Sequence, residues 1–295
     1  MSNRVTVAAG VMEEQRMISR LFVMFAPFVT ALLIAVPARA QPPSDGKPEM
    51  RENCPGFVAS NAPRVIPASL RFALNPDQVR ITYAGHSTFL IESPRGVRIA
   101  TDYNDYVRPQ AIPDIATMNH AHSTHFTDRP DPRIPHVLRG WGANPDQPAR
   151  YDLQVGDTRV RNVPTNIRSW INRATERHGN SIFIFEMANM CIAHLGHLHH
   201  TLTQQQLDEI GRIDIVFAPV DGTLTLDLDG MFEVLTGLKA QVIVPMHFFS
   251  VHTLNRFLDR ARQQQWEVET APIASTTMSK TTLPATPKVL VLPGR

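Results

Sequence analysis

Three apolar, strand-like runs in this chain each end in histidine, and that repetition limits the fold more than any other feature of the sequence. Ile115-Ala116-Thr117-Met118 leads into Asn119-His120-Ala121-His122-Ser123-Thr124-His125. Met190-Cys191-Ile192-Ala193 leads into a second cluster, His194, His197, His199 and His200. Gln241 to Met246 leads into His247. Imidazole is the commonest neutral metal ligand, and an H-x-H spacing lets two rings reach one ion from a short loop. Neighbouring strands would bring such loops together, so the sequence predicts one metal centre assembled at one edge of a sheet.

The rest of the chain supplies the strands. Val79–Tyr83, Thr88–Ile91 and Val97–Ala100 read as strands, the last two separated by the turn Ser93-Pro94-Arg95-Gly96. Further short runs fall at 115–118, 135–138, 150–154, 158–163, 181–186, 190–194, 214–218 and 241–246. Helical signals come in the second half. Thr203 suits an N-cap for Gln204–Ile210, and Gly211 suits its stop. Leu228–Leu238 and His252–Gln264 show helical spacing of apolar residues. Meandering strands followed by strand–helix alternation predict sheets sandwiched between helical layers, an α/β (α+β) fold. Ser275–Pro287 reads as a Ser/Thr/Pro-rich loop before a last strand, 289–292.

The first forty residues read as a targeting segment. Arg16 and Arg20 precede the apolar run Leu21–Val36, then comes Ala38-Arg39-Ala40, a small-x-small cleavage signature. A cut between Ala40 and Gln41 is expected, with Met17 as an alternative start. The other reading is an uncleaved anchor, which the shortness of the run and Pro27 disfavour. Export would place the mature protein in the periplasm or outside the cell, with no stable membrane anchor. Residues 41–76 form a proline-rich leader, and 77–295 fit one large domain. The full chain carries a formal charge of +2, and the segment before the cut holds all of that excess. The mature protein is near neutral, which argues against nucleic acid as a partner. Oligomeric state is not written in the sequence. Cys54 and Cys191 are the only cysteines; a disulfide between them and a buried free thiol at Cys191 both stay open.

With these motifs in hand, the chain resembles the metallo-β-lactamase superfamily, near the L-ascorbate 6-phosphate lactonases and N-acyl-phosphatidylethanolamine phospholipase D. Tyr83-Ala84-Gly85-His86-Ser87-Thr88-Phe89-Leu90-Ile91-Glu92 resembles that branch's opening G-H-S/A-S/T-F-L-I/V-E strand pair. Ile99-Ala100-Thr101-Asp102 resembles its I/L-L-x-D-P strand end, and the 119–125 run its T-H-x-H-x-D-H loop. Ile192–His197 is similar to I-x-H-x-G-D, Val216–Gly222 to L-x-P-I/V-G-G, and Val244–His247 to I-P-M-H. The resemblance covers roughly 79–250 and implies an αββα sandwich, two mixed β-sheets flanked by helices. It also implies one or two metals, usually zinc, whose bound hydroxide attacks an ester, amide, lactone or phosphodiester. A cation lowers the pKa of bound water from about 15.7 to about 7 and polarises the electrophile.

The departures matter as much. The family's loop aspartate falls on Thr124, its metal-bridging aspartate on His197, and its third histidine near Asn166, Ile167 or Arg168. The implied ligands are therefore His120, His122, His125 and His247, with His197 as a substitute. A single metal with an open position is favoured over two. All-nitrogen ligation suits zinc but also copper, nickel or iron; manganese stays open as well. Asp102 is expected to orient a ligand imidazole, and His199 to serve as a proton shuttle or ligand; these two are the candidate catalytic residues. His86 either lines the pocket or ties down its own turn. His194 reads as structural, Asp221 as a turn residue, and Arg168 as a surface arginine with anion binding as the alternative. The function the resemblance implies is an exported metal-dependent hydrolase acting on a small-molecule substrate. The alternatives are a periplasmic metal-binding or redox protein and a degenerate scaffold on the same fold.

Overall fold

The computed structural model describes residues 74–144, 146–169 and 171–294. The expected signal peptide, most of the leader, and Cys54 lie outside the described residues. Cys191 is buried and disulfide-bonded, so it is not a free thiol.

The chain opens with β1 (Gln78–Gly85), β2 (Thr88–Glu92), β3 (Arg98–Ala100), β4 (Ile115–Met118) and β5 (His136–Arg139). A long antiparallel arm follows: β6 (Asp152–Val155), β7 (Thr158–Arg168), β8 (Thr175–Met187) and β9 (Met190–His194). Then α1 (Gln204–Ile210), β10 (Ile215–Pro219), α2 (Leu228–Leu238), β11 (Val242–Met246) and α3 (Val251–Gln263) alternate. The described chain ends with β12 (Glu267–Thr270), β13 (Ser275–Ser279) and β14 (Lys288–Val291).

Two mixed sheets result. One has six strands in the order β13-β1-β2-β3-β4-β5, and the other eight in the order β12-β14-β11-β10-β9-β8-β7-β6. The residue pattern explains their stacking. β1 alternates half-buried and buried positions, as a strand with one face in a core does. β4, β9, β10 and β11 are buried throughout, as strands covered on both faces are. Between the sheets, Ile81, Phe89, Ile91 and Ile99 meet Phe183, Phe185, Phe217 and Val244, with the rings of Phe89 and Phe217 stacked 4.1 Å apart.

The outer faces are covered differently. On the eight-stranded sheet, Ile182, Ile184, Val216 and Ile243 pack with Phe232 and Leu235 of α2 and Phe257 of α3. Side chains cap each helix: Thr203 closes a capping box on α1, Asp227 caps α2, and Ser250 caps α3, which begins one residue before the expected His252. The six-stranded sheet instead carries a smaller cluster in which Ala100, Ala116 and Met118 meet Tyr103, Phe126, Ile134 and Trp141, from the connections around β4. The segment 275–279, expected as loop, is strand β13, because its backbone pairs antiparallel with β1 at the sheet edge. β12 also went unread: its residues Glu267–Thr270 are largely exposed, and it is held by parallel pairing with β14.

The topology sets the location of the chemistry. β3 and β4 run parallel in one sheet, and β9, β10 and β11 run parallel in the other. All the histidine-bearing loops leave the carboxyl ends of these strands or the β1–β2 turn. Ligand sites in parallel sheets lie at that end.

Candidate metal centre

The loop after β4 is pinned before its histidines begin. The Asn119 backbone N–H donates to Asp102 Oδ1 at 2.9 Å, and Asn119 Nδ2 donates to the Ser181 carbonyl across the sandwich at 2.7 Å. His120 then donates from Nδ1 to the Gly179 carbonyl at 2.7 Å. His125, fully buried, donates from Nδ1 to Asp102 Oδ2 at 2.6 Å. From the other sheet, His247 follows β11 and donates from Nδ1 to Asp221 Oδ2 at 2.9 Å. Its backbone N–H donates to the His86 carbonyl at 2.9 Å, and the Tyr83 hydroxyl donates to the same carbonyl at 2.8 Å. The β1–β2 turn and the β11 loop are thereby tied together.

His86, Asp102 and His247 all have positive φ, at 52°, 42° and 54°. A left-handed conformation costs a non-glycine residue about 1–2 kcal/mol, and such strain gathers where the surrounding structure fixes a functional side chain.

The rings converge. His125 lies 5.1 Å from His247, 5.4 Å from His86 and 4.7 Å from His197, centroid to centroid. His86 and His247 are 4.4 Å apart, and His120 is 5.3 Å from His197. His122 is the most exposed of the group, 6.0 Å from both His125 and His197, and its Nδ1 sits 3.1 Å from the Thr124 hydroxyl. One nitrogen from each of His86, His125 and His247 lies within 4.8 Å of the other two. All five expected ligand positions, His120, His122, His125, His197 and His247, thus stand in one cluster, with His86 added.

His197 is bonded unlike the others. The Arg168 backbone N–H donates to His199 Nδ1 at 2.8 Å, and His199 Nε2 lies 2.6 Å from His197 Nδ1. Both His199 nitrogens are therefore engaged. His199, expected as a proton shuttle or ligand, stands directly behind His197. Gly196, at φ 62°, permits the tight turn before His197, since a Cβ there would sit 2.5 Å from Asn119 Nδ2 and from Asn180 Oδ1. His194 has no spare nitrogen either: Nε2 donates to the Ser87 carbonyl and Nδ1 accepts from the Gly196 N–H. Asn166, near the family's third histidine, accepts from the His178 N–H and lines a separate cavity with His178 and His200.

Asp221 does more than shape a turn. Its Oδ1 accepts from the backbone N–H groups of Thr223 and Thr225, while Oδ2 takes His247 and the Thr225 hydroxyl. The available signal was its place just beyond a strand end, the same place Asp102 holds after β3. Burial opposes a charged carboxyl at Asp221, but the hydrogen bonds from His247 and Thr225 win and hold its pKa well below the usual range. Burial instead raises Asp102 to about 6. Burial lowers the pKa of His120, His122, His125 and His197, and takes His86 down to about 4, helped by the charge of His247. His199 falls to about 3 through burial and then the nearby Arg168 guanidinium. These imidazoles are neutral at pH 7, the form that ligates metal.

The donor set fits a metal ion. Nε2 of His125 and of His86 are buried and have no hydrogen-bond partner. Buried polar atoms are rarely left unsatisfied, and coordination of one cation would satisfy several converging imidazole nitrogens together. Beside this cluster, Arg168, Ser169, Arg173, His199, Thr223 and Leu224 line a cavity of about 300 Å³. Neither arginine pairs with a carboxylate among the described residues, and Arg168 Nη2 donates to the Thr225 carbonyl.

Comparison with known proteins gives the family. The family model of the beta-lactamase superfamily domain matches residues 80–247, and the chain belongs to that superfamily. It is 24% identical over 196 residues to the UPF0173 metal-dependent hydrolase Ta0764 of Thermoplasma acidophilum, covering 58% of this chain and 84% of that protein. A UPF0173 metal-dependent hydrolase of Archaeoglobus fulgidus is likewise 24% identical, over 202 residues, covering 58% of this chain and 83% of the relative. Among solved structures, one assigned to the Zn-dependent hydrolases of the metallo-β-lactamase superfamily, from Thermotoga maritima, is 27% identical. It superposes with a TM-score of 0.54, covering 74% of this chain and all of that one. The chain thus belongs to this superfamily and is similar to metal-dependent hydrolases within it, and its histidine cluster lies where the fold's strand ends meet.

Proposed function

We propose that this protein is an exported hydrolase that uses a single metal ion, zinc in the first instance, on an ester, lactone or phosphodiester. The observation that carries the reading is the pair His125 and His247. Each has its Nδ1–H fixed by a buried carboxylate, and each leaves Nε2 for the cluster. Carboxylate–imidazole pairing of this kind sets the tautomer and raises ligand basicity. His120, anchored through Nδ1 to a carbonyl, and His122 offer further nitrogens from the same loop. When bound, the metal supplies acidified water and a polarised electrophile. Asp102 and Asp221 act as positioning residues. Arg168 and Arg173 supply positive charge at the neighbouring cavity, which suits a substrate carrying an anionic group. Phe249, 61% exposed and 5.1 Å from the His247 ring, offers an apolar surface at the mouth.

The test is turnover of bis-p-nitrophenyl phosphate, a p-nitrophenyl ester and a lactone by zinc-loaded protein. The expected result is activity that is lost with chelator and in His125→Ala. Activity that survives both treatments would overturn the reading. Stoichiometric metal with no turnover of any of the three would move the protein to the metal-binding class. Export rests on the cleavage signature at Ala38–Ala40 and on the disulfide at Cys191, a bond of oxidising compartments. N-terminal sequencing of protein recovered from the periplasm should begin at Gln41.

A further inference from the structure

We propose that His86, not His197, completes the metal centre, and that His197 is held as a fixed N–H donor facing it. The proposal rests on the metal-dependent reading above and assigns roles within that site.

The argument for His197 is a chain of donors and acceptors. The Arg168 backbone N–H can only donate, so His199 Nδ1 carries no proton. A neutral His199 then has its proton on Nε2, and that N–H donates to His197 Nδ1 at 2.6 Å. His197 Nδ1 therefore accepts, and the remaining proton of a neutral His197 sits on Nε2. An imidazole whose Nδ1 accepts a hydrogen bond and whose Nε2 carries the proton has no lone pair left for a metal. Reversing the His197–His199 bond would leave His199 without a proton on either nitrogen, an anion with no cation bonded to either nitrogen. The opposite order holds at His125, His247 and His120, where Nδ1–H donates to an oxygen and Nε2 is left as the acceptor.

The argument for His86 is placement. Its carbonyl receives the backbone N–H of His247, so the two residues keep a fixed separation, with ring centroids 4.4 Å apart. Its Nε2 is buried and has no partner, as is Nε2 of His125. One nitrogen each of His86, His125 and His247 lies within a 4.8 Å span, a set that one ion can gather after small side-chain movements. Three neutral histidines with an open position form a known type of catalytic zinc site. His197, with its ring 4.7 Å from His125 and 5.0 Å from His247, sits beside that set with an N–H to offer. An N–H fixed beside a site where negative charge develops on a substrate oxygen stabilises that charge without reorganisation. A carboxylate at this position would bind metal; a relayed histidine gives a donor instead.

The experiment is zinc affinity by chelator competition, with elemental analysis, on full-length wild type, His86→Ala, His197→Ala and His125→Ala, each checked for folding by circular dichroism. The expected pattern is an affinity loss of about 100-fold or more in His86→Ala and His125→Ala, and a change of under about threefold in His197→Ala. A His197→Ala loss matching that of His125→Ala, or full retention in His86→Ala, would overturn the proposal. If a variant fails to fold, nitrogen NMR of ¹⁵N-histidine-labelled, zinc-loaded wild type decides the matter without mutation. His197 with a protonated Nε2 supports the assignment, and His197 Nε2 bound to zinc overturns it. A wild type that takes up no zinc, copper, nickel, iron or manganese overturns the metal-dependent reading itself. A wild type that binds metal with the two roles reversed overturns only this assignment.

Discussion

His125 and His197 sit 4.7 Å apart, yet their surroundings give their rings opposite chemical character. His125 is backed by the carboxylate of Asp102, an acceptor, so its far nitrogen is an acceptor too. His197 is backed by His199, whose own far side takes a backbone N–H, so its far nitrogen is a donor. The polarity of an imidazole is set by the atom behind it. A histidine-rich cluster is thus not one uniform set of ligands, and residue type alone does not divide it.

The most severe way to break this contrast is to remove an anchored ligand. His247→Ala or His125→Ala should abolish metal-dependent turnover, by about a thousandfold or more if the ion carries the reaction. Retention of zinc in either variant would show that the carboxylate-backed histidines are not ligands. Removing the backing carboxylate instead should act at one remove. Asp102→Asn and Asp221→Asn are each expected to weaken zinc binding about 10- to 100-fold while leaving the ligand in place, read by chelator competition. An unchanged affinity would mean the tautomer is fixed by something other than Asp102 or Asp221.

Acid sharpens the comparison in the metal-free protein. His86 and His199 have folded pKa values near 4 and 3, below the ordinary 6.5, and burial lowers His125 and His197 too. The unfolded chain therefore takes up protons that the folded chain refuses, so the stability these groups contribute is present above pH 6.5 and is lost as pH falls. Asp102, raised to about 6, works in the other direction and tightens the fold as it protonates. Several histidines oppose one carboxyl, so the melting temperature should drop between pH 6.5 and 4. A flat profile in thermal melts over that range would show that the rings are solvated rather than buried. The smallest effect belongs to His199→Gln, which removes the backing of His197 without touching a ligand. Zinc affinity should change by less than about threefold, while the His197 nitrogen signals should lose their fixed tautomer.

Much of the fold could be read from local chemistry. The strand runs Val79–Tyr83, 115–118 and 241–246 were legible from residue type, and β1, β4 and β11 lie there. Thr203 and Gly211 bracketed α1 because a cap is a contact between residues close in sequence. β13 was not legible, since Ser275–Ser279 is a strand only by virtue of pairing with β1, almost two hundred residues away. The two mixed sheets implied by the family resemblance are both there, and among the described residues α2 and α3 cover the eight-stranded one. The outer face of the six-stranded sheet is covered by loop residues such as Phe126 and Trp141.

The same division runs through the site. The sequence by itself determined that loops rich in metal-ligand residue types would follow strand ends, because strand period and residue type are properties of short segments. It also brought Asp102 forward as a partner for a ligand imidazole. Only the tertiary structure decided that Asp102 faces His125, that Asp221 faces His247, that His86 joins them from the opening turn, and that Arg168 polarises His199 and through it His197. Each of these is a hydrogen bond or a close approach between residues distant in the chain. Its direction depends on which atom the fold sets behind each ring, and no local pattern of residues encodes that.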